Sequence, residues 1–426
     1  LWEVIRFTVF KELSTSLLGY SQAHNNKKEI KGKLFASTRL VFNSIYKNPL
    51  LGKYKVDYLV YDHERKINVE GNNIDIYTKD FLKSSDPSKF DVIEAPYLLK
   101  HISKVEKNRK YLDNEMLSVF IKKKLFKLRL TANERLLISE IQNGIKNRFK
   151  VNNLSFYEDI TNYIESFLYK YQYHKKLLQK RKPRAIYVVV SYGKLPIIAA
   201  AKELGIQVIE FQHGVITAYH FAYNFGDPTK KIKYFPDKLL TFGNYWANTP
   251  RFPKQTEIEI YGFPYLNQQI EKYKKKPKKD KQVLFVSQGT IGKELSIHAK
   301  EIAEKMPDYH FIYKLHPGEY DRWRKAYPSL VEASHLGNIE IIDNNKKNLY
   351  NLFAESEFQI GVYSTAIFEG LTLNCKTILF NIMGIEYMND IINKSIVEVA
   401  SNADEAISHI KNYKLKEFAR DYFFKE

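Results

Sequence analysis

Four segments of the sequence place groups able to move a proton or hold a phosphate directly after short apolar runs. Gln212-His213-Gly214 follows Val208-Ile209-Glu210-Phe211, with His220 and Tyr223 shortly after. Two hydrogen-bonding side chains and a glycine that tolerates close backbone approach would therefore stand at a strand end. Lys314-Leu315-His316-Pro317-Gly318-Glu319 closes a second run. Its proline stops the strand and leaves the His316 imidazole at the sheet's carboxyl edge, able to donate to a phosphate, with Lys314 adding charge if it faces the same way. Pro-Gly also marks an ordinary turn. Tyr363-Ser364-Thr365-Ala366-Ile367-Phe368-Glu369-Gly370 passes from strand to helix. Ser364 or Thr365 would cap that helix, whose N-terminus attracts anions, and Glu369 one turn further on could accept from ribose hydroxyls. Ser287-Gln288-Gly289-Thr290-Ile291-Gly292 is a glycine-bearing turn that matches neither a Walker nor a dinucleotide fingerprint.

A proton acceptor is also needed. Tyr61-Asp62-His63-Glu64-Arg65 follows a predicted strand, so Asp62, His63 and Glu64, together with His213, are the candidate bases, and Arg65 lies beside them. No Asp-x-Asp triplet of the metal-dependent kind occurs. No metal or cofactor is expected, and the charge of a leaving phosphate would rest on positive groups and helix N-termini.

The elements that must position these groups alternate. From Val283 onward, short apolar strands (283–286, 310–315, 339–342, 358–362, 377–380) interleave with helical stretches (294–306, 321–333, 349–354, 365–373), the pattern of a parallel sheet with helices on both faces. The earlier half shows strands at 56–61, 74–77, 185–190, 208–211, 239–242 and 258–261, a helix over 194–204, and a basic, mainly helical stretch at about 103–180. The run Glu271 to Lys281, with its central Pro277 and no apolar period, reads as an exposed linker. Two Rossmann-like domains follow, residues 1–275 with a helical insertion and residues 282–426, facing a central cleft where open α/β sheets bind ligands.

Composition narrows the partners. The 67 Lys and Arg against 48 Asp and Glu give a net charge of +19, which points to a polyanionic neighbour or to plain compositional bias. The single cysteine, Cys375, excludes an internal disulfide and cysteine-based zinc clusters and fits a reducing, cytoplasmic setting. No apolar run is long enough to span a membrane. Leu1-Trp2-Glu3-Val4 carries an acid too early for a signal peptide and reads as the start of a trimmed or internal segment. No nucleic-acid signature occurs. Much of the surplus charge sits in the insertion, at Lys122 to Arg129, and in the linker, which suits an anionic membrane surface at the inner face of the cytoplasmic membrane.

The His316-Pro317 turn, the Ser364-Thr365 helix start with Glu369 after it, and Gln212-His213-Gly214 together resemble bacterial GT-B glycosyltransferases of capsule and lipopolysaccharide synthesis. The likeness spans roughly residues 185 to 385 and leans to the sialyl-, polysialyl- and Kdo-transferases, which use CMP-activated sugars. It implies the GT-B fold and an inverting, metal-independent transfer from a nucleotide-activated sugar to a glycan or lipid-linked glycan acceptor. By the same likeness, His316 and Pro317 with Ser364 and Thr365 would meet the donor phosphate and Glu369 the ribose. The acidic pair before glycine that supplies a base in several sialyltransferases is not evident. Teichoic-acid glycerophosphate transferases look distantly similar, and a nucleotide-sugar epimerase on the same fold is a related alternative.

Overall fold

Strand β1 (Tyr58–Tyr61) is the hinge of a seven-stranded sheet ordered β5-β4-β1-β6-β7-β8-β9. Its companions are β4 (Phe90–Glu94), β5 (Arg109–Tyr111), β6 (Ala185–Val189), β7 (Gln207–Phe211), β8 (Lys238–Thr241) and β9 (Glu257–Ile260), while β2 (Ile67–Val69) and β3 (Asn72–Ile74) form a separate antiparallel hairpin. The pairings from β5 through β8 are parallel. The structure is a computed structural model, and it describes residues 1–18, 30–51, 55–69, 71–104, 107–152, 155–248 and 252–426.

The helices of this first part are α1 (Trp2–Leu18), α2 (Ile30–Tyr46), α3 (Lys79–Ser84), α4 (Asp113–Leu125), α5 (Ala132–Phe149), α6 (Tyr157–Arg181) and α7 (Leu195–Glu203). Side chains alternate across a strand, and the core follows that period. Leu59 and Tyr61 join Ile186, Val188 and Val208 in one cluster with Leu177 and Leu178 of α6 and Ile197, Ile198 and Ala201 of α7. Val60, between them, turns to the other face and packs with Phe90, Val92 and Phe81 of α3.

The later helices are α8 (Asn244–Asn248), α9 (Pro264–Tyr273), α10 (Gly292–Lys305), α11 (Trp323–Ala326), α12 (Pro328–Ala333), α13 (Leu349–Glu355), α14 (Thr365–Thr372), α15 (Asn389–Asn393) and α16 (Ala403–Lys411). The second sheet runs β12-β11-β10-β13-β14-β15, built from β10 (Lys279–Val286), β11 (His310–Lys314), β12 (Ile339–Ile342), β13 (Ser356–Gly361), β14 (Lys376–Phe380) and β15 (Glu398–Ala400). Every pairing in it is parallel. Val283 and Phe285 of β10 bury against Leu295, Ala299 and Ile302 of α10 and Leu330 of α12. In both sheets the first strand lies centrally and the chain winds first to one side and then to the other. In open α/β sheets such a reversal marks where ligands bind, at the carboxyl ends of the two strands flanking it.

The chain divides into two compact units. One holds residues 1–213, 225–240 and 252–259; the other holds 214–224, 241–251 and 260–426. The expected boundary at 275–282 therefore falls inside the second unit. The basic run 271–281 is exposed as expected, but it has regular structure and is not a free linker. Its first residues finish α9 and its last begin β10. Lys279 pairs with Glu355 at 2.8 Å, Lys276 pairs with the same carboxylate, and the Lys278 ammonium donates to the carbonyls of Phe353 (2.7 Å) and Leu373 (2.8 Å). Several charges that read as free thus have partners in the fold.

Other expectations shift too. The strand expected at 74–77 is displaced to the hairpin β2–β3, because the Asp75 side chain caps the turn after it. Pro328 splits the helix expected over 321–333 into α11 and α12. The insertion of α4, α5 and α6 is present, but it begins at Asp113, since residues 109–111 form an edge strand. Within the expected span of about 103–180, residues 105–106 and 153–154 lie outside the described residues.

Candidate functional site

In the first unit the winding reverses between β1 and β6, and the segments leaving those strands carry the polar groups. The Tyr192 hydroxyl stands 3.4 Å from Nε2 of His213, which follows β7. The His63 ring, after β1, lies near-parallel to that of His213 with centroids 6.3 Å apart, and Tyr77 meets His213 edge-on at 6.4 Å. Burial lowers the His63 pKa, so its imidazole is neutral near pH 7. His63, Tyr77, Tyr192 and His213 thus form one partly buried group at the crevice of this sheet, able to accept or relay a proton.

The turn that presents Tyr192 is strained. Val190 adopts φ 61°, ψ 64°, a left-handed conformation that a β-branched side chain strongly disfavours. The carboxylate of Glu210, fully buried on β7, accepts from the Ser191 backbone N–H at 2.8 Å and holds the turn in that shape. The pKa of Tyr192 is pushed up to about 12 by burial and by the nearby Glu210, which keeps its hydroxyl protonated.

The remaining base candidates are engaged elsewhere. Asp62 is buried, with Oδ2 held by Lys66 (2.6 Å) and Arg109 (2.7 Å). Desolvation raises its pKa to about 6 against the pull of those two cations. It belongs to a ladder of alternating charge, and its Oδ1 is buried without a hydrogen-bond partner. Arg109 also donates to Glu94 at 2.7 Å, Glu94 meets His101 at 3.0 Å, and His101 meets Asp113 at 2.6 Å. The carboxylate of Glu64 is ion-paired to Lys194 at 2.5 Å, just before α7. Arg65 is exposed and gives its backbone N–H to Nδ1 of His63. Sequence reasoning missed Asp75, which accepts from the His63 N–H (2.9 Å) and the Thr78 hydroxyl (2.8 Å) and so fixes the loop carrying His63. The signal was an aspartate followed two and three residues later by Tyr77 and Thr78, a local capping pattern.

In the second unit the reversal falls between β10 and β13. The segment after β10 holds Ser287, Gly289 and Thr290; the segment after β13 holds Tyr363, Ser364 and Thr365. Thr290 and Tyr363 meet across it, hydroxyl to hydroxyl at 2.6 Å. Ser364 caps α14 by accepting the Ala366 N–H at 3.2 Å, so that the helix start opens at the crevice. Gly214 approaches here as well: a Cβ on it would sit 3.6 Å from the Thr365 hydroxyl.

His316 caps the short 3-10 turn Pro317–Glu319, and its Nδ1 accepts the Gly318 N–H at 3.1 Å. That bond leaves the ring proton of the neutral tautomer on Nε2, the nitrogen suited to donate to a phosphate oxygen. Behind it, the fully buried Glu319 accepts from the His316 N–H (2.7 Å), the Ser287 hydroxyl (3.0 Å) and the Tyr327 hydroxyl (2.8 Å). A Cβ at Gly292 would stand 2.0 Å from that carboxylate, which is why the position needs glycine. Arg322 donates to the Gly289 carbonyl at 2.7 Å. Ser287 is therefore part of a brace rather than an open phosphate loop.

Lys314 donates to the hydroxyl of Tyr320 (2.5 Å) and the carbonyl of Asn344 (3.0 Å), and burial brings its pKa down to about 8. It ties two strand ends together. Glu369 sits on the buried side of α14, hydrogen-bonded to Tyr350, with its pKa pushed up by burial to about 7. Gln212 is buried and gives its backbone N–H to the Leu240 carbonyl at 3.0 Å. His220 and Tyr223 pack ring against ring at 4.9 Å, and burial lowers the His220 pKa to about 4. Both read as loop core. Among the described residues no group of three His, Cys, Asp or Glu side chains is arranged to hold a metal ion.

Among solved structures, the chain is similar to the UDP-GlcNAc 2-epimerase from Methanocaldococcus jannaschii, with TM-score 0.53 and 12% identity over 87% of this chain and 96% of that one. The same enzyme in complex with UDP-GlcNAc and UDP aligns with TM-score 0.50, at 12% identity over the same shares. The wall teichoic acid polymerase TagF gives TM-score 0.42 at 12% identity, covering 95% of this chain and 88% of that chain. No family model and no curated protein matches the sequence. At such identity the likeness establishes the architecture: two parallel-sheet α/β domains of the GT-B type.

Proposed function

We propose that this chain is a nucleotide-sugar-dependent enzyme of the GT-B type, an inverting and metal-independent glycosyltransferase. Its donor is a nucleotide-activated sugar, with a CMP-activated nonulosonic acid or Kdo the first choice by the motif resemblance, and its acceptor is a growing glycan or lipid-linked glycan at an anionic membrane surface. One observation carries the reading: at the switch point of the second sheet, a capped helix start (Ser364, Thr365) opens beside the Thr290–Tyr363 hydroxyl pair. Such a site offers N–H and O–H donors to a diphosphate or monophosphate without a cation. His316, whose proton is directed to Nε2, would add a donor to the phosphate, and Pro317 fixes its turn. His213, with Tyr192 and His63 beside it, is the choice for the base.

A second reading, a UDP-sugar epimerase, draws on the likeness to the archaeal UDP-GlcNAc 2-epimerase. A CDP-polyol phosphotransferase remains the third. Incubating the protein with CMP-, UDP- and GDP-sugars, with and without glycan acceptor, separates them. Transfer with an added sugar mass supports the transferase, acceptor-free isomerisation supports the epimerase, and an added phosphopolyol supports the third. No nucleotide binding by calorimetry and no turnover would remove all three.

A further inference from the structure

We propose that the C-terminal end of α4 and the loop after it form a docking surface for an anionic lipid bilayer. The outward side of α4 carries Phe120, Ile121, Lys124 and Leu125, at the spacing of one helical face, and Phe126 follows. Leu125 is 68% exposed and Phe126 66%, values unusual for large apolar side chains standing together. Between Phe120 and Arg129 stand Lys122, Lys123, Lys124, Lys127 and Arg129, with no acidic residue.

The protrusion is built. The loop backbone is pinned to α6, where Glu165 accepts the Leu128 N–H at 2.8 Å and the Tyr169 hydroxyl bonds the Phe126 carbonyl. Lys123 reaches Ser166 at 3.0 Å, on the α6 side, and the Thr131–Glu134 capping box starts α5 immediately beyond. The apolar tips are therefore held out by structure. Lys124 lies over the Phe120 ring at 4.5 Å, an arrangement in which the stem covers apolar surface while the ammonium stays at the polar boundary.

Charge decides the occupant. Apolar side chains ringed by cations match the interface of a bilayer with acidic headgroups, where each cation adds to the attraction and the apolar tips insert. A second copy of this chain would bring another +19 to the contact and be repelled. This surface deepens the proposed function by naming what holds the enzyme near a lipid-linked acceptor, and it is tested separately from the chemistry.

The test is co-sedimentation of the full chain with vesicles of mixed phosphatidylglycerol and phosphatidylcholine, against pure phosphatidylcholine, with nucleotide-sugar binding followed by calorimetry. Binding should require the acidic lipid and weaken with added salt. The triple variant Lys122→Gln, Lys124→Gln, Lys127→Gln should partition about a hundredfold more weakly, roughly fivefold for each cation lost. The double variant Leu125→Ser, Phe126→Ser should also release the protein, and both variants should keep the nucleotide affinity of the parent. Vesicle binding without nucleotide binding supports the surface and strikes only the transferase reading. Failure to bind acidic vesicles, or undiminished binding by both variants, overturns the proposal. So does a loss of self-association in the serine variant, or competition of vesicle binding by duplex RNA at physiological salt.

Discussion

The carboxylate of Glu319 takes the backbone N–H of His316 at 2.7 Å, while its other oxygen holds the Ser287 and Tyr327 hydroxyls. One buried acid thus couples the turn that presents the imidazole to the loop after β10. Replacing it by alanine strands several buried donors. Glu319→Ala is expected to cost about 3 kcal/mol, read as a lower denaturant midpoint with an unchanged m-value. Gly292→Ala, which pushes a methyl into the same carboxylate, should act in the same direction.

His316 itself caps only a short exposed turn, so its removal should spare the fold. His316→Ala is expected to weaken donor binding about 10- to 100-fold with a thermal midpoint near that of the parent. A correctly folded variant with full activity would take His316 out of the site.

In the first unit, His213→Ala should abolish turnover while nucleotide binding persists, because the groups proposed to hold the nucleotide lie in the other unit. Tyr192→Phe removes the hydroxyl 3.4 Å from His213 and should lower kcat about tenfold with KM unchanged. It should also displace the pH profile, which a merely structural loss would not do.

His101 makes stability depend on pH. Burial opposes its charge, but hydrogen bonds to Asp113 and Glu94 outweigh burial and raise its pKa above the usual 6.5. A raised folded-state value contributes stability that is whole below pH 6.5 and drains away as pH climbs through the folded pKa. Thermal midpoints should therefore fall through that window, and His101→Gln should flatten the slope.

Glu369 titrates in the same sense. Its pKa rises from 4.5 to about 7 through burial, so the folded state favours the protonated acid and stability declines as pH passes from 4.5 through 7. Glu369→Gln should gain on the order of 2 kcal/mol over the parent above that range. Donor affinity in the same variant should drop about tenfold if the ribose hydroxyls meet this side chain. Unchanged affinity would remove Glu369 from donor contact and leave Tyr350 as its partner.

The alternation of apolar runs with helices was enough to read most strands of both sheets, because buried parallel strands must be nearly continuous in apolar residues. Strands β4 and β5 escaped for the opposite reason: Asp91, Glu94 and Arg109 put charges in them that look like loop, and those charges are satisfied by partners far along the chain. The same blindness made the run from Glu271 to Lys281 look like a linker, since nothing in it reveals that Glu355 waits for Lys276 and Lys279. Among the candidate residues, the strand-end positions of His63, His213, His316, Ser364 and Thr365 were legible from local pattern. That Asp62, Lys314 and Ser287 are consumed by internal contacts was not, because burial and pairing are properties of the folded chain.

Phe423 and Phe424 pack into the second unit in a manner that bears on its biogenesis. Phe423 and Phe424 enter the aromatic cluster of Phe242, Trp246, Phe263 and Phe368, and the Trp246 indole donates to the Phe423 carbonyl at 2.6 Å. A Cβ on Gly243 would meet that same carbonyl at 2.6 Å, so the tail lies flush against the backbone there. During synthesis these two phenylalanines emerge after every other member of the cluster. The aromatic surface around Trp246 must therefore stand open, and available to chaperones or to misassociation, until Phe423 and Phe424 have been made.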